Sequence, residues 1–339
     1  MNPLRQLSRR VINRIISGAA LLGRRDMVSV LPRDAIQALE APLFVKPAQT
    51  RQMTVQERVI GVELGGEAKA YPVNILSVHE IVNDVIGGEP VVITWSPLSF
   101  SAMVYRRKVV DRPLSFGGSG AILRNVLVMY DRQTETYWNQ LTGDAFAGPL
   151  AGIRLEPLPS LLTSWGGWLR AFPASQVLSK ENSPYEHYEE DHMHDYYCSA
   201  ATGIRDPAHK DDRLAAKEVI LGIAGDNNAV AYPLSLLRQT KVLHDEVNGG
   251  ACVFFYAEKS HTAAIFSAAV AEYTLTFYER SGMFYDYQTG SCWSPLTGGV
   301  LHGPLVGKQL QPIPVATSFW FAWADHFPET RVYSLPAIN

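Results

Sequence analysis

The hydrophobic positions of this chain fall mostly in short runs of β-branched and aromatic residues, separated by polar turns and glycine pairs. Such runs are typical of strands, because branched and aromatic side chains pack well on a pleated surface. The pattern therefore predicts a mainly β fold of the β-rich α+β class. The clearest runs are VVITW (91–95), AMVYR (102–106) and VLVMYD (126–131), and later CVFFYA (252–257), TAAIF (262–266) and TLTFY (274–278).

Helical periodicity is confined to short stretches. The spacing of apolar residues predicts one helix over NILSVHEIVND (74–84) and another over LLTSWGGWLRAF (161–172). A pattern similar to the second occurs in SFWFAWADHF (318–327). Helices are thus expected to be minor elements beside the strands.

The strongest signal is an internal repeat. VIGVELGGEAKAYPVNIL (59–76) returns as VILGIAGDNNAVAYPLSLL (219–237), and MYDRQTETYWNQLTG (129–143) returns as FYDYQTGSCWSPLTG (284–298). The offset is 161 residues for the first pair of motifs and 155 for the second. We therefore interpret the glycine-rich stretch at 115–125 as a loop that the second copy has largely lost. A period this long indicates a duplicated domain and not a solenoid.

The repeat divides the chain into four parts. We place a basic arm at 1–28, the first copy at 29–180, an acidic linker rich in histidine and tyrosine at 181–212, and the second copy at 213–339. How the copies pack, including a pseudo-two-fold relation, stays open at this point.

The arm at 1–28 is basic and amphipathic. It holds six arginines before its first acid, Asp26, and its apolar residues recur at three- and four-residue steps. We expect residues 4–25 to bind a protein partner or a membrane surface, which would make this a peripheral membrane protein or part of a membrane-associated complex. Two alternatives stay open: a cleaved segment for organellar import, and a solvated helix without a partner.

Composition narrows the class of protein further. With 339 residues, 47% hydrophobic and 19% charged, the chain suits a folded protein and not a disordered one. The net charge of −3, without a basic stripe in the body of the chain, gives no reason to expect nucleic acid as a partner. The three cysteines form no CxxC motif, which argues against a disulfide scaffold.

The first candidate chemistry surrounds His79. If 74–84 is one helix, His79, Glu80, Asn83 and Asp84 form a polar cluster beside an apolar face. His79 would then be a general base or a metal ligand, oriented by Glu80 or Asp84. The alternative is a histidine that is simply hydrogen-bonded at a helix surface.

The second half of the sequence helps to decide between these two roles of His79. It keeps acids, Asp245 and Glu246, which we place opposite Asn83 and Asp84, but it has no histidine opposite His79. This asymmetry favours a role for His79 that is peculiar to the first copy.

A second candidate is the turn TWSPLSFSA (94–102), in which Ser96 and Ser99 have the spacing of a CxxC pair. Together with the repeated motifs, this stretch resembles the DUF3179 family over roughly residues 30–335. In that family the stretch usually reads Tyr-Cys-Pro-Leu-Cys, so the resemblance places its two cysteines on Ser96 and Ser99, and its helical histidine on His79. A hydroxyl cannot replace a thiolate as a soft ligand or redox centre. Ser96 could act as a nucleophile only with a base such as His79.

The linker offers a third candidate. His192 and His194 would point to the same side of an extended segment, and His187 is close enough in sequence to complete a site for a transition metal such as Zn or Cu. The spacing matches no standard metal motif. The alternative is a recognition surface formed by the linker tyrosines, Tyr185, Tyr188, Tyr196 and Tyr197.

These observations favour a non-catalytic binding or structural component of a larger or membrane-associated assembly, with no cofactor. The loss of both thiol positions and the added arm and linker are the reasons. The rival is a hydrolase or redox-type enzyme that uses His79, Glu80, Asp84, Ser96 and Ser99. It requires a ring nitrogen of His79 within hydrogen-bond reach of Ser96 or Ser99 in an open cleft. Metal binding by the linker histidines is the third hypothesis.

Overall fold

The expected mainly β fold is confirmed. The computed structural model describes residues 26–50, 53–180, 188, 190–225 and 228–335. Strands dominate these residues, and the helices are short. The arm at 4–25 lies outside the described residues. None of the helices in the described part of the chain combines the length and the apolar character needed to span a membrane.

The strands of the first half are short and follow one another closely. In chain order they are β1 (Met27–Ser29), β2 (Phe44–Val45), β3 (Arg58–Leu64), β4 (Glu67–Pro72), β5 (Ile81–Ile86), β6 (Glu89–Ser96), β7 (Ser101–Arg106), β8 (Lys108–Val109), β9 (Arg112–Pro113), β10 (Phe116–Leu123), β11 (Val126–Asp131), β12 (Tyr137–Asn139), β13 (Ala145–Ala147), β14 (Leu161–Ser164) and β15 (Gln176–Leu178).

The strands of the second half repeat this order from β3 onward. They are β16 (Val219–Ala224), β17 (Ala229–Pro233), β18 (Val242–Val247), β19 (Gly250–Ala257), β20 (Thr262–Ser267), β21 (Ala269–Val270), β22 (Tyr273–Thr274), β23 (Phe277–Arg280), β24 (Met283–Asp286), β25 (Cys292–Trp293), β26 (Val300–His302), β27 (Ala316–Phe319) and β28 (Arg331–Val332).

The helices are one or two turns long. Two of them, in equivalent places, follow the Ala-Tyr-Pro motifs, and two more follow β14 and β27. A fifth belongs to the linker. They are α1 (Val73–His79), α2 (Trp165–Ala171), α3 (His194–Cys198), α4 (Leu234–Thr240) and α5 (Trp320–His326).

Local geometry recurs between the halves as well as element order. Glu80 and Lys241 end the equivalent helices α1 and α4, with φ angles of 59° and 64°. Trp138 donates from its indole N–H to an aspartate at 3.0 Å, and its counterpart Trp293 does the same at 2.9 Å. The correspondence is what a repeated unit would produce, and its origin by duplication stays an interpretation.

The two halves meet at equivalent strands. A seven-stranded sheet has the order β28-β17-β16-β27-β7-β6-β5, so β27 of the second half joins β7 of the first. At the equivalent place β14 lies beside β20 in a separate sheet, and the hydroxyl of Thr262 donates to Thr163 at 2.6 Å. This reciprocity is what a two-fold relation between the halves produces. The largest hydrophobic core accordingly contains side chains of both halves, and the rings of Phe100 and Phe319 stack 4.9 Å apart.

Two expectations about local structure are wrong. The helix predicted over 74–84 ends at His79, because Glu80 adopts a left-handed conformation and the β-branched residues after it form β5. The glycine-rich stretch at 115–125 is not a loop. It lies mostly in β10, which pairs with β11 on one side and with β1 on the other.

Candidate functional site

The serine turn joins β6 to β7 in the middle of the seven-stranded sheet. Ser96 ends β6, Pro97–Ser99 form a single 3-10 turn, and Phe100 closes it in a left-handed conformation with φ of 52°. Proline suits the start of such a turn because its φ is fixed near the required value and it needs no N–H partner. The chain then enters β7 at Ser101. The proline therefore fits the conformation of this turn.

The hydroxyls of this turn hydrogen-bond within the core. The Ser96 hydroxyl accepts the backbone N–H of Leu127 at 3.1 Å. The Ser99 and Ser101 hydroxyls are 2.8 Å apart, and Ser101 donates to the amide oxygen of Gln140 at 2.7 Å. Ser99 has no exposed surface and Ser96 is only 3% exposed. Both hydroxyls thus serve as buried partners that join β6 and β7 to the neighbouring sheet.

Both ring nitrogens of His79 bond residues other than the two serines. Its Nδ1 lies 2.6 Å from the carbonyl oxygen of Gln37, and its Nε2 contacts the hydroxyl of Tyr188. A carbonyl can only accept, so Nδ1 carries the proton and Nε2 accepts from Tyr188. Burial lowers the pKa of the imidazole, which favours this neutral form. Within the described residues, no hydrogen bond joins His79 to either serine, so the geometry that the enzyme hypothesis requires is not formed.

Glu80 differs from the other predicted site residues in the pKa of its side chain. Its backbone carbonyl accepts the N–H of Trp95 at 2.8 Å, which ties the end of α1 to β6. Its carboxyl has no ion-pair partner among the described residues, and burial raises its pKa to about 7. Glu80 is therefore a carboxyl that gains or loses its proton near neutral pH.

Asp84 does not orient His79, because it lies on β5 and not on the helix. Its carboxylate accepts from the Tyr71 hydroxyl at 2.5 Å and from the Lys69 ammonium at 3.0 Å. In the second half Tyr232 donates to Asp245 at 2.6 Å, so Asp245 is the counterpart of Asp84.

The pairing of Asp245 with Asn83 expected from the sequence is therefore wrong by one position. Asn83 is matched by His244: each bonds the backbone N–H of the first residue in the neighbouring strand, Phe116 or Phe277. His79 itself still has no histidine counterpart, since Thr240 occupies that position.

The linker covers the serine turn. Tyr188 is 5% exposed, and the Tyr196 hydroxyl donates to the carbonyl oxygen of Leu98, within the turn, at 2.6 Å. The ring of Tyr197 packs edge-on against Phe100, with centroids 5.0 Å apart. Lys217 fixes this cover, because its ammonium lies 3.8 Å above the Tyr196 ring and donates to the linker backbone at Ser199. The linker tyrosines placed here thus face inward, while Tyr185 lies outside the described residues.

The linker histidines do not form a cluster in the described part of the chain. His194 begins α3, so the extended segment expected for His192 and His194 is wrong, and both side chains are exposed. The sulfur of Cys198 is 3.8 Å from Nε2 of His194. No three side chains of His, Cys, Asp or Glu gather as a metal site would require, as far as the described residues go. His187 lies outside them.

A large cleft opens where the two halves meet. Its volume is about 1160 Å³, and equivalent positions of the two halves contribute to its lining, such as Val73 and Leu234. Three cations, Arg58, Lys217 and Arg238, share this lining. Sequence reasoning missed the cleft, because these residues are far apart in the chain and belong to no motif.

The second half presents its own turn to this cleft. The counterpart of the serine turn is the 3-10 turn Glu258–Ser260, closed by His261 with φ of 51°. His261 is exposed and lines the cleft together with Tyr256. The described linker residues cover only the first of the two turns.

The family follows from comparison of the whole sequence. No curated protein and no solved structure matches the chain significantly. The family described as "Protein of unknown function (DUF3179)" matches residues 33–330, which include both halves and the linker. This chain therefore belongs to the DUF3179 family.

Proposed function

We propose that this protein is a non-catalytic binding component of a larger assembly, and that it takes a ligand into the cleft between its halves. The proposal rests on the contrast between the serine turn and the cleft. The serine turn is buried and its hydroxyls are hydrogen-bonded in the core, whereas the cleft is large and lined by polar side chains of both halves. Pockets of this size and position are common ligand sites.

The lining of the cleft holds three acids, Glu57, Asp191 and Glu218, beside its three cations, and among these charged groups Arg238 favours an anionic group on the ligand. The carboxylate of Glu57, on one wall, is neutralised by the buried ammonium of Lys180 at 2.6 Å. The carboxylate of Glu218, on the other wall, accepts the backbone N–H of Ser235 at 2.9 Å. Arg238 is exposed and has no ion-pair partner among the described residues. A guanidinium in a cleft binds carboxylate or phosphate through charge-assisted hydrogen bonds.

Isothermal titration of the full chain with inorganic phosphate and with citrate tests this proposal. We expect saturable binding of at least one anion, and at least about a tenfold loss of affinity in Arg238→Gln, since one charge-assisted bond is worth that much. Arg112→Gln, an exposed arginine outside the cleft, is the matched control and should bind as the unchanged protein does. Absence of saturable binding, or equal affinity in Arg238→Gln, contradicts the proposal.

The assembly part of the proposal rests on the sequence of residues 4–25. A basic amphipathic segment binds anionic membrane surfaces or acidic partners through its cations and its apolar face together. We infer that this arm attaches the protein to a membrane surface or to a protein partner.

A second candidate function is acid–base catalysis in the first half. It is favoured by Glu80, whose pKa near 7 suits a group that donates and accepts protons at neutral pH. In this case Glu80→Gln would abolish an activity while the fold stays intact. His79, Ser96 and Ser99 would support the site and would not react.

A further inference from the structure

The outer face of the first half's hairpin sheet is covered by a segment of the same chain. Strand β1 pairs with β10, and beyond it the backbone N–H groups of Val30 and Asp34 donate to carbonyl oxygens of β10 at 2.8 and 2.9 Å. The Arg33 guanidinium lies 4.3 Å above the ring of Tyr130. The Tyr130 hydroxyl donates to Asp34 at 2.5 Å. An extended peptide with an arginine thus covers this sheet.

The equivalent face of the second half lacks this cover among the described residues. Strand β23 corresponds to β10, and it is the edge strand of a sheet with the order β23-β24-β25-β26. The six residues that the second half lacks lengthen β10 by four and β11 by two, and the added part of β10 carries the pairing with β1. The second half therefore lacks the residues that pair with β1, but it keeps Glu279, the counterpart of Gly118, which bonds Asp34 in the first half.

Three tyrosines occupy this uncovered surface, which we call the tyrosine face: Tyr278, Tyr285 and Tyr287. Tyr285 stands at the position of Tyr130, because each precedes the aspartate that bonds the buried tryptophan. The rings of Tyr278 and Tyr285 are nearly parallel with centroids 5.6 Å apart, and Tyr278 and Tyr287 are 4.5 Å apart. Tyr287 is 68% exposed, and Met283 beside it is 37% exposed.

We propose that the tyrosine face and the edge of β23 at Glu279 bind an extended peptide of a partner protein, with an arginine stacked on the rings. Aromatic faces attract guanidinium groups, and an edge strand accepts an added strand. The first half shows both interactions at equivalent positions, because Arg33 lies over Tyr130 and the backbone N–H of Asp34 donates to Gly118. Exposed Tyr287 and Met283 add apolar contact, as binding surfaces commonly do.

This inference rests on the proposed function, because it names a chemical class of partner for the assembly that we propose. The surface that it uses is separate from the cleft. The test is binding of the full chain to immobilised dodecapeptide pools, randomised except for one central residue, which is Arg, Lys, Ala or Glu. We expect at least about threefold more protein on the Arg pool than on the Ala pool. Tyr287→Ala, and Tyr285→Ala with Tyr287→Ala, should remove this preference, whereas Tyr287→Phe keeps the ring and should retain it.

The controls separate this inference from the others. Val110→Ala, at an exposed apolar residue of the first half, should leave the Arg preference unchanged. If the double variant does not fold, as judged by circular dichroism, Tyr287→Ala alone decides, because this side chain is mostly exposed. Equal binding to the Arg and Ala pools, or an unchanged preference in Tyr287→Ala, overturns the inference. Phosphate binding in the cleft should be the same in all tyrosine variants, so the two proposals can fail independently.

Discussion

The two halves follow one plan but differ in what covers them. In the first half, residues 27–36 cover the hairpin sheet and the linker covers the serine turn. In the second half, the tyrosine face and the turn at Glu258–Ser260 have no such cover among the described residues. The added segments, and not the shared core, therefore determine which surfaces are available for binding. The following predictions test this comparison.

The largest effect is expected where the halves are alike. Trp138→Ala and Trp293→Ala each remove a fully buried indole and its bond to an aspartate. Each should lower the free energy of unfolding by about 3–5 kcal/mol, because large-to-small changes in a core leave a cavity. Urea denaturation followed by circular dichroism measures both. A large loss in one variant and a negligible loss in the other would show that the halves are not energetically equivalent.

The next largest effect concerns the pH dependence of stability, in which Glu80 should differ from its counterpart Lys241. The pKa of Glu80 is raised from 4.5 to about 7 in the folded protein. The folded state thus binds this proton more tightly, and the stabilisation it gives is complete below pH 4.5 and lost as the pH rises through 7. Glu80→Gln should remove this dependence and be about 3 kcal/mol more stable than the unchanged protein at pH 8.

The measurement is urea denaturation of both proteins between pH 4.5 and pH 8. Lys241→Gln is the matched control: Lys241 ends the equivalent helix in an ion pair with Glu258, and its change should not alter the slope with pH in this range. Parallel stability curves for Glu80→Gln and the unchanged protein would refute the assignment.

A smaller effect distinguishes the two turns. Ser96→Ala leaves the buried N–H of Leu127 without its acceptor, which should cost about 1–3 kcal/mol. Ser260, in the other turn, makes only a 3.3 Å bond to a nearby carbonyl, so Ser260→Ala should cost about 0.5–1 kcal/mol. Thermal unfolding ranks the two variants, and the reverse order would contradict the structural role given to Ser96.

The smallest effect on stability is expected from the arm. Deletion of residues 1–25 should leave the unfolding temperature unchanged, since we interpret this basic amphipathic segment as an arm outside the two repeated copies. The truncated protein should no longer co-sediment with anionic vesicles or with its assembly. Continued co-sedimentation with both would remove the role proposed for the arm.

The sequence alone predicted the strands and the correspondence of the halves, because β-branched runs and repeated motifs are local signals. It failed at α1, because the apolar spacing from Ile75 to Val82 fits a helix until the left-handed conformation of Glu80 breaks it. The glycine-rich stretch was misread because glycine normally weakens strands. In β10, Gly120 leaves room for the backbone of Leu31, whose carbonyl oxygen would lie 2.1 Å from a Cβ there.

The candidate site was predictable only in part. The short separations between His79 and Glu80 and between Ser96 and Ser99 follow directly from the sequence, but the bonding partners of these residues could not be predicted from it. Gln37 and Tyr188 reach His79, and Leu127 reaches Ser96, from distant parts of the chain. The cleft depends on how the halves pack, which no local pattern encodes.

The central claim is that the serine turn is a buried part of the scaffold, and the reactivity of its hydroxyls tests it most directly. The full chain would be treated under native conditions with a fluorophosphonate, a reagent that labels activated serines, and then mapped by mass spectrometry. We predict no adduct on Ser96 or Ser99, because both hydroxyls are buried and hydrogen-bonded. A stoichiometric adduct on either serine would contradict the account.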